Sequence, residues 1–276
     1  MYEHGRLRSA TLYLLMALTV AIVLIPFLWE ISTALKPENQ LLARPSRLIP
    51  FPPTLQHFSH AFERGVGRGL VNSFIVAAAA AVLSIGIGSL AAYSFARLRF
   101  RCSNGLLFVI IAAMMLPTLS NLVPVYMLMS RLRILDTYWV LILLYTVTHL
   151  PLVVWILRGF FQSIPREIDE AAAMDGATPI QLLFRIIMPL SQPALAAAAL
   201  IVFTFSWNDF VIAVTMTSSS SMRTAQVWLW STIGDVGTDW GALMAVSVLT
   251  NLPVLLVFLF LERRFIAGLS AGAVRG

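Results

Sequence analysis

Six stretches of this chain are too long and too apolar to live in water: residues 10–31, 70–92, 106–129, 138–157, 194–216 and 241–261. A helix that crosses a bilayer needs about 20 mostly apolar residues, and each stretch supplies them. The expected fold is all-α and polytopic, with six transmembrane helices in one domain over residues 1–276. Composition agrees: 59% of residues are hydrophobic and 12% charged, against roughly half and a quarter in soluble domains. The third stretch holds Pro117 and Pro124, so a kink or an early end is expected there. The first resembles a signal peptide, with Arg6 and Arg8 ahead of it and Ser32-Thr33-Ala34 as a cleavage site. Its apolar length exceeds the usual 7–15 residues, which favours an uncleaved anchor.

Several chemistries are excluded at this level. One cysteine, Cys102, permits neither an intramolecular disulfide nor a cysteine metal cluster, and no metal site is expected. The single lysine, Lys36, lies among prolines with no Gly-rich turn before it, so the chain has no P-loop of its own. Of the four histidines only His149 lies in a span, with no acid or cysteine at helical spacing, and no HExxH occurs. That argues against the alternative of an integral-membrane enzyme. The net charge of +6 is spread thinly around apolar segments, which fits lipid orientation better than nucleic acid.

Arginine placement sets the orientation. Arg6 and Arg8, then Arg97, Arg99 and Arg101, then Arg158, Arg166 and Arg185, then Arg263, Arg264 and Arg275 fall on one side of a six-span chain. That side is expected to be cytoplasmic, with both termini. The opposite side carries a Pro-rich loop over 36–68, expected to be ordered by packing on other loops, and a second loop over 217–239. Gly86 and Gly88, with Ser84 and Ser89, suggest a closely packed helix face. Trp29, Tyr138 and Trp139 read as interface anchors, and Glu30 as a residue at the end of its span.

Between the fourth and fifth spans lies a segment of another character, 163–193, SIPREIDEAAAMDGATPIQLLFRIIMPLSQP. Ser163 is placed to cap a helix with Glu167 and Asp169 in its first turns, near the positive end of the helix dipole. Gly176 ends that helix, since it tolerates the left-handed conformation. Thr178 and Gln181 have capping-box spacing, with Pro179 at the first helical position. Ile180, Leu183, Phe184 and Ile187 fall on one helix face and Pro189 stops the run. A helix pair on the lipid surface is the plain alternative. The acids Glu167, Asp169, Glu170 and Asp175 weigh against it, because anionic headgroups repel them.

Glu170-Ala171-Ala172, Gly176, Ile187 and Pro189 resemble the EAA loop of permease subunits of binding-protein-dependent ABC importers, carbohydrate-uptake branch. Further matches are LAAYSFARLRF from Leu90, Met115-Leu116-Pro117, Trp207-Asn208-Asp209 and the tail GLSAGAVRG from Gly268. The chain is most similar to the smaller permease of maltose-type systems, departing at Cys102, where relatives often have Pro or Gly. The resemblance implies a type I importer permease (MetI-like) fold in the inner membrane of a prokaryote. It implies half of a transport pathway for a sugar, or alternatively for a solute such as glycerol phosphate. The implied partners are a second, homologous permease, two cytoplasmic ATPase subunits and an extracytoplasmic solute-binding protein. No cofactor is expected on this chain; ATP and Mg belong to the ATPases.

The same resemblance implies that Glu170, Ala171, Ala172, Asp175, Gly176, Phe184 and Pro189 meet the ATPase. It implies that the tail, with Gly268, Gly272 and Arg275, reaches between the two ATPase subunits; a basic end held near anionic lipid is the alternative. Candidate pathway residues are Phe205, Trp207, Asn208 and Asp209. An ionisable residue in a span is a functional-site hypothesis by default, but Asp209 equally suits a cap or a loop partner near the outer boundary. His149 and Asn251 are expected to make hydrogen bonds between helices.

Overall fold

The computed structural model describes residues 2–45, 47–98, 100–115, 117–234 and 237–273, and the side chains within 11–260 except at 46, 99, 116, 118 and 234–237. The chain begins with α1 (Tyr2–Ala34), the short α2 (Glu38–Leu41) and α3 (Gln56–Glu63), and the long α4 (Val66–Arg97). Then come α5 (Ser103–Ala112), two 3₁₀ turns (Ala113–Met115 and Thr118–Asn121), α6 (Leu122–Arg131) and α7 (Tyr138–Ser163). A helical hairpin follows: α8 (Arg166–Met174), α9 (Pro179–Leu182), a π turn (Leu183–Ile187) and α10 (Met188–Leu190). The chain continues through α11 (Gln192–Asn208), α12 (Val211–Met216) and α13 (Ala225–Trp230), and ends in α14 (Trp240–Ala273). Between the last two lies a small antiparallel pair, β1 (Ile233–Gly234) and β2 (Gly237–Thr238), the only strands among the described residues and ones the sequence did not announce.

Among the described residues, four helices are long and apolar enough to cross a bilayer: Thr11–Ala34, Val66–Arg97, Tyr138–Ser163 and Trp240–Phe260. The number rises to as many as six if each of two bent pairs counts as one span. One pair, Ser103–Met115 with Leu119–Arg131, turns by 90°. Pro117 sits at that turn in an extended conformation, so the expected kink is present and severe. Pro124 causes no break, because it lies in the first turn of α6, where an N–H would have no helical partner. The expected fifth span, 194–216, is likewise not one helix: α11 stops at Asn208, Asp209 is extended, and α12 restarts at Val211.

Contacts group the chain into two units: Met1–Gly67 with Trp228–Asn251, and Arg68–Val227 with Leu252–Gly276. In the first, Lys36 is buried with its Nζ 4.5 Å from the centre of the Trp29 ring. His57 Nε2 donates to the Lys36 carbonyl at 2.9 Å, and the His57 ring packs on Gly241 so closely that a Cβ there would lie 2.2 Å from it. Arg64 pairs with Asp239 at 3.8 Å. The Pro-rich loop is thus ordered against the second loop, as expected. Asn251 donates to the Glu30 carboxylate at 3.2 Å, the interhelical bond anticipated for it.

The second unit has two buried clusters. One joins Ala172, Leu183 and Ile187 of the hairpin to Leu157 and Phe161 of α7 and to Ala198, Val202 and Trp207 of α11. The other gathers Val76 and Ala80 of α4, Leu141 and Tyr145 of α7, and Ile212 and Met216 of α12. Ser84 and Ser89 are fully buried. Cys102 is left-handed (φ 64°), a conformation that favours glycine.

At Gly88 α4 and α7 approach closely: a Cβ there would lie 2.5 Å from Val153 Cγ1, whereas one on Gly86 would meet nothing within 4 Å. Of the two glycines on the small-residue face, only Gly88 is needed for close approach. Gly88→Ala should cost about 1–3 kcal/mol, since β-branched Val153 cannot rotate away. Gly86→Ala should be neutral or slightly stabilising. Thermal unfolding of the two variants in lipid nanodiscs distinguishes them; equal losses would contradict the packing described.

Candidate functional site

The hairpin is built from local signals. Asp175 is the C-cap of α8 and Gly176 follows with φ +76°. Ala177 N–H donates to the Ala172 carbonyl at 2.9 Å and Gly176 N–H to Ala173 at 3.0 Å, a Schellman pattern that satisfies the freed carbonyls. Thr178 and Gln181 form both halves of the capping box. Ser163 does not cap α8. It is the last residue of α7, its hydroxyl bonded to the Phe160 carbonyl at 2.7 Å, and Pro165 occupies the N-cap instead. Two residues of extended backbone, Ile164 and Pro165, separate the helices and leave Ser163 too early in the chain to reach the amides of α8.

Pro189 does not stop the second helix either; it lies inside α10. Proline has no N–H and crowds the carbonyl four residues back, and the turn just before it is widened into the π turn Leu183–Ile187. The chain breaks two residues later at Ser191, where the segments Pro179–Leu190 and Gln192–Asn208 meet at 83°. The expected single apolar face is split. Leu182, Leu183 and Ile187 are buried, while Ile180 and Phe184 point outward, 65% and 47% exposed.

Two faces result. Ala172 turns inward with Ile168. Outward lie Glu167, Glu170, Ala171, Asp175 and Gly176, with Met174 at 88% exposure beside Ile180 and Phe184. Apolar side chains so open, rimmed by acids, form a surface suited to a soluble partner. Inside the hairpin, Asp169 is paired with Arg97 of α4 at 2.9 Å. Burial pushes the Asp169 carboxyl above its ordinary pKa; attraction to Arg97 and Arg166 draws it back, and repulsion from Glu170 adds to the rise. Arg99, two residues beyond Arg97, lies outside the described residues.

The second candidate site surrounds the helix break at Asp209. Its Oδ1 accepts from the Tyr145 hydroxyl at 2.9 Å and from the amides of Ile212 and Ala213 at 2.9 and 3.2 Å. Asp209, one residue before the N-cap Phe210, therefore caps α12 through its side chain, and it also lines a cavity of about 240 Å³ with Thr148, His149 and Phe205. An adjoining cavity of about 460 Å³ shares those last three residues and extends to Met114 and Asn121. The His149 ring sits 6.5 Å from Tyr145 and 5.7 Å from Phe205, an aromatic stack in place of the expected interhelical hydrogen bond. Trp207 takes no part: it is buried and stacked on Phe203 at 5.7 Å. Asn208 faces away, its Oδ1 accepting from Gln226 at 3.2 Å. Tyr145 was missed by sequence reasoning, although it stands one helical turn before His149 on α7.

At the same end of this unit, polar groups hold the chain between α12 and α13. Asn72 donates to the carbonyls of Ser221 and Arg223, both at 2.9 Å, and accepts from Tyr138 at 2.6 Å. Asp136 Oδ1 accepts from the amides of Ser218 and Ser219 at 2.9 and 3.1 Å. Of the tail residues, Gly268 and Gly272 fall on the backbone of α14 and Arg275 lies outside the described residues. Residues 268–272, GLSAG, have the spacing of a hydrolase nucleophile elbow. They lie within a helix, not at the strand-to-helix turn that such chemistry needs.

Comparison with known proteins follows the same line. The family described as binding-protein-dependent transport system inner membrane component matches residues 84–270. The chain is 35% identical to the sulfoquinovosyl glycerol transport system permease protein SmoH of Agrobacterium fabrum, over 92% of this chain and 89% of the relative. It is 33% identical to the trehalose transport system permease protein SugB of Mycobacterium tuberculosis, over 99% and 100%. A crystal structure of a bacterial ABC transporter involved in the import of the acidic polysaccharide alginate superposes with a TM-score of 0.80 at 20% identity, covering 94% of this chain and 97% of that one.

The Asp136 contacts carry a pH dependence. Burial opposes its charge, but the Ser219 and Ser218 amides outweigh that and hold the carboxyl below its ordinary pKa. The loop restraint is then fully present above the ordinary carboxylate range and lost as pH falls through the lowered value. Asp136→Ala should raise hydrogen exchange at 217–220 at neutral pH, and Asp136→Asn, which keeps an acceptor oxygen, should do so less. Exchange that is unchanged in the alanine variant would remove the restraint.

Proposed function

The chain belongs to the family of binding-protein-dependent transport system inner membrane components, transport subunits and not enzymes, and we propose that it forms half of the translocation pathway of an ATP-driven importer for a sugar or glycoside. Trehalose and sulfoquinovosyl glycerol, named for two relatives, favour such a cargo over a simple glycerol phosphate. A homologous permease supplies the other half, and a solute-binding protein delivers cargo at the end where residues 217–227 are held. Two ATPase subunits carry ATP and Mg. Both termini and the hairpin lie on the cytoplasmic side, in keeping with the arginines at 97, 101, 158, 166 and 185.

The observation that carries this reading is the two-faced hairpin. Its outer face, Glu170, Ala171, Met174, Gly176 and Phe184, is open to a partner. Its inner face, Ala172, Leu183 and Ile187, is fixed in the core that holds α7 and α11. Closure of the ATPases pushes the hairpin, and Ser191 joins it directly to α11. Close-packed interiors transmit displacement, so the push reaches the break at Asp209 and the cavities beside it. Phe205 and Asp209 border the pathway there, while Pro189 and Asp175 shape the hairpin. The tail, with Gly268, Gly272 and Arg275, extends toward the ATPases.

Co-purification with the ATPase subunits, and Mg-ATP-dependent uptake of labelled trehalose into proteoliposomes holding the full set of subunits, test the proposal. Glu170→Arg should weaken ATPase association through charge and bulk at the contact. Gly176→Val should strain the turn by about 1–2 kcal/mol. Each should cut uptake roughly tenfold or more, the scale of a typical coupling free energy, with membrane levels unchanged. A Met174→Cys hairpin labelled by an impermeant maleimide only from the outside would overturn the assignment.

A further inference from the structure

We propose that Arg97 is a positioning residue for energy coupling, a buried cross-tie that makes α4 move with the hairpin. The inference rests on the hairpin being the ATPase contact. Arg97 is the last residue of α4 and its side chain is only 5% exposed. Its Nη2 donates to the Ile164 carbonyl at 2.9 Å, and its Nε lies 2.9 Å from Asp169 Oδ2. Ile164 closes α7 at the pivot into the hairpin, and Asp169 stands in the first turn of α8. One guanidinium therefore joins three elements.

An arginine that served only to orient the chain in the membrane would stay solvated, as Arg101 does on the same loop. Burying a guanidinium is costly unless it is paired and hydrogen-bonded, and Arg97 is given both partners. The need for the tie follows from connectivity. The hairpin pulls α11 through the chain itself, at Ser191, but α4 has no covalent link to it: after Arg97 the chain leads away to α5. Without the guanidinium, α4 would share with the hairpin the apolar cluster that includes Ala92, Tyr93 and Ala96 of α4 and Ala172, Leu182 and Leu183 of the hairpin. Apolar contact is non-directional, whereas the planar fork of arginine fixes an orientation.

The test uses the complete importer in nanodiscs, with Cys102→Ser and Phe205→Cys as background and an impermeant maleimide as reporter of the cavity. Mg-ATP with vanadate should accelerate labelling in the background protein; if it does not, the proposed function fails and not this inference. Arg97→Met should keep ATPase association and ATP hydrolysis but lose the acceleration by roughly tenfold. Arg97→Lys should recover part of it, because a point charge can still pair with Asp169. The exchange Arg97→Asp with Asp169→Arg should also recover part. Arg97→Met with full acceleration overturns the inference. So does loss of ATPase association, or a loss of acceleration that neither the lysine nor the exchanged pair restores, since both describe a residue needed merely for folding.

Discussion

A surface hairpin passes force to a membrane helix only if its inner face cannot slip. Here the seat is continuous: Ala172, Leu183 and Ile187 share one buried cluster with Leu157, Phe161, Ala198 and Trp207. Lipid tails are as apolar as leucine, so the hydrophobic effect does little to hold helices together within the bilayer, and close packing must do so. The cluster is accordingly rich in alanine, with a few large residues wedged between. Gly88 against Val153 extends the same logic between α4 and α7. The outer face of the hairpin can then be shaped for a partner without loosening the inner one.

Proline governs where the second unit bends. Pro117 stands at a 90° turn, and Pro189 follows a π turn and precedes an 83° one. In a bilayer a freed carbonyl has no water to turn to, so bends persist only where protein surrounds them. Ser191 is fully buried at its bend, and its amide approaches the carbonyls of both Ile187 and Met188 at 3.0 Å. The second bend thus keeps its backbone satisfied while redirecting the chain from the hairpin into α11.

The sequence made legible whatever depends on neighbours in the chain. Gly176 and the Thr178–Gln181 box are local signals, and the structure reproduces them, together with four of the six apolar lengths as single helices. It concealed whatever depends on phase or on partners far along the chain. Ser163 looked like a cap because the two extended residues after it leave no mark in composition. Ile180 and Phe184 share helical spacing with Leu183, and spacing does not say which part of an apolar face finds a partner within the chain. Trp207, Asn208 and Asp209 form one tripeptide yet point to three environments: a core, helix α13 and a cavity edge. Tyr145 and Arg97 owe their roles to Asp209 and Asp169, 64 and 72 residues away in sequence.

Asp209 shows why a functional reading and a structural one need not compete. A helix that breaks within apolar surroundings leaves amides without acceptors, each costing several kcal/mol if nothing receives it. The carboxylate meets two of the free amides in the first turn of α12, those of Ile212 and Ala213. It is also costly to bury alone, and the same amides with the Tyr145 hydroxyl offset that cost. Break and acid are therefore stable together where neither would be stable alone. Irregular backbone at such depth persists where protein or a cavity surrounds it, and here it borders one that runs on past His149 and Phe205. Because Tyr145 belongs to α7, the cap also ties that helix to the junction of α11 and α12. Any motion that opens the junction must surrender the Tyr145 bond, or carry α7 along with it.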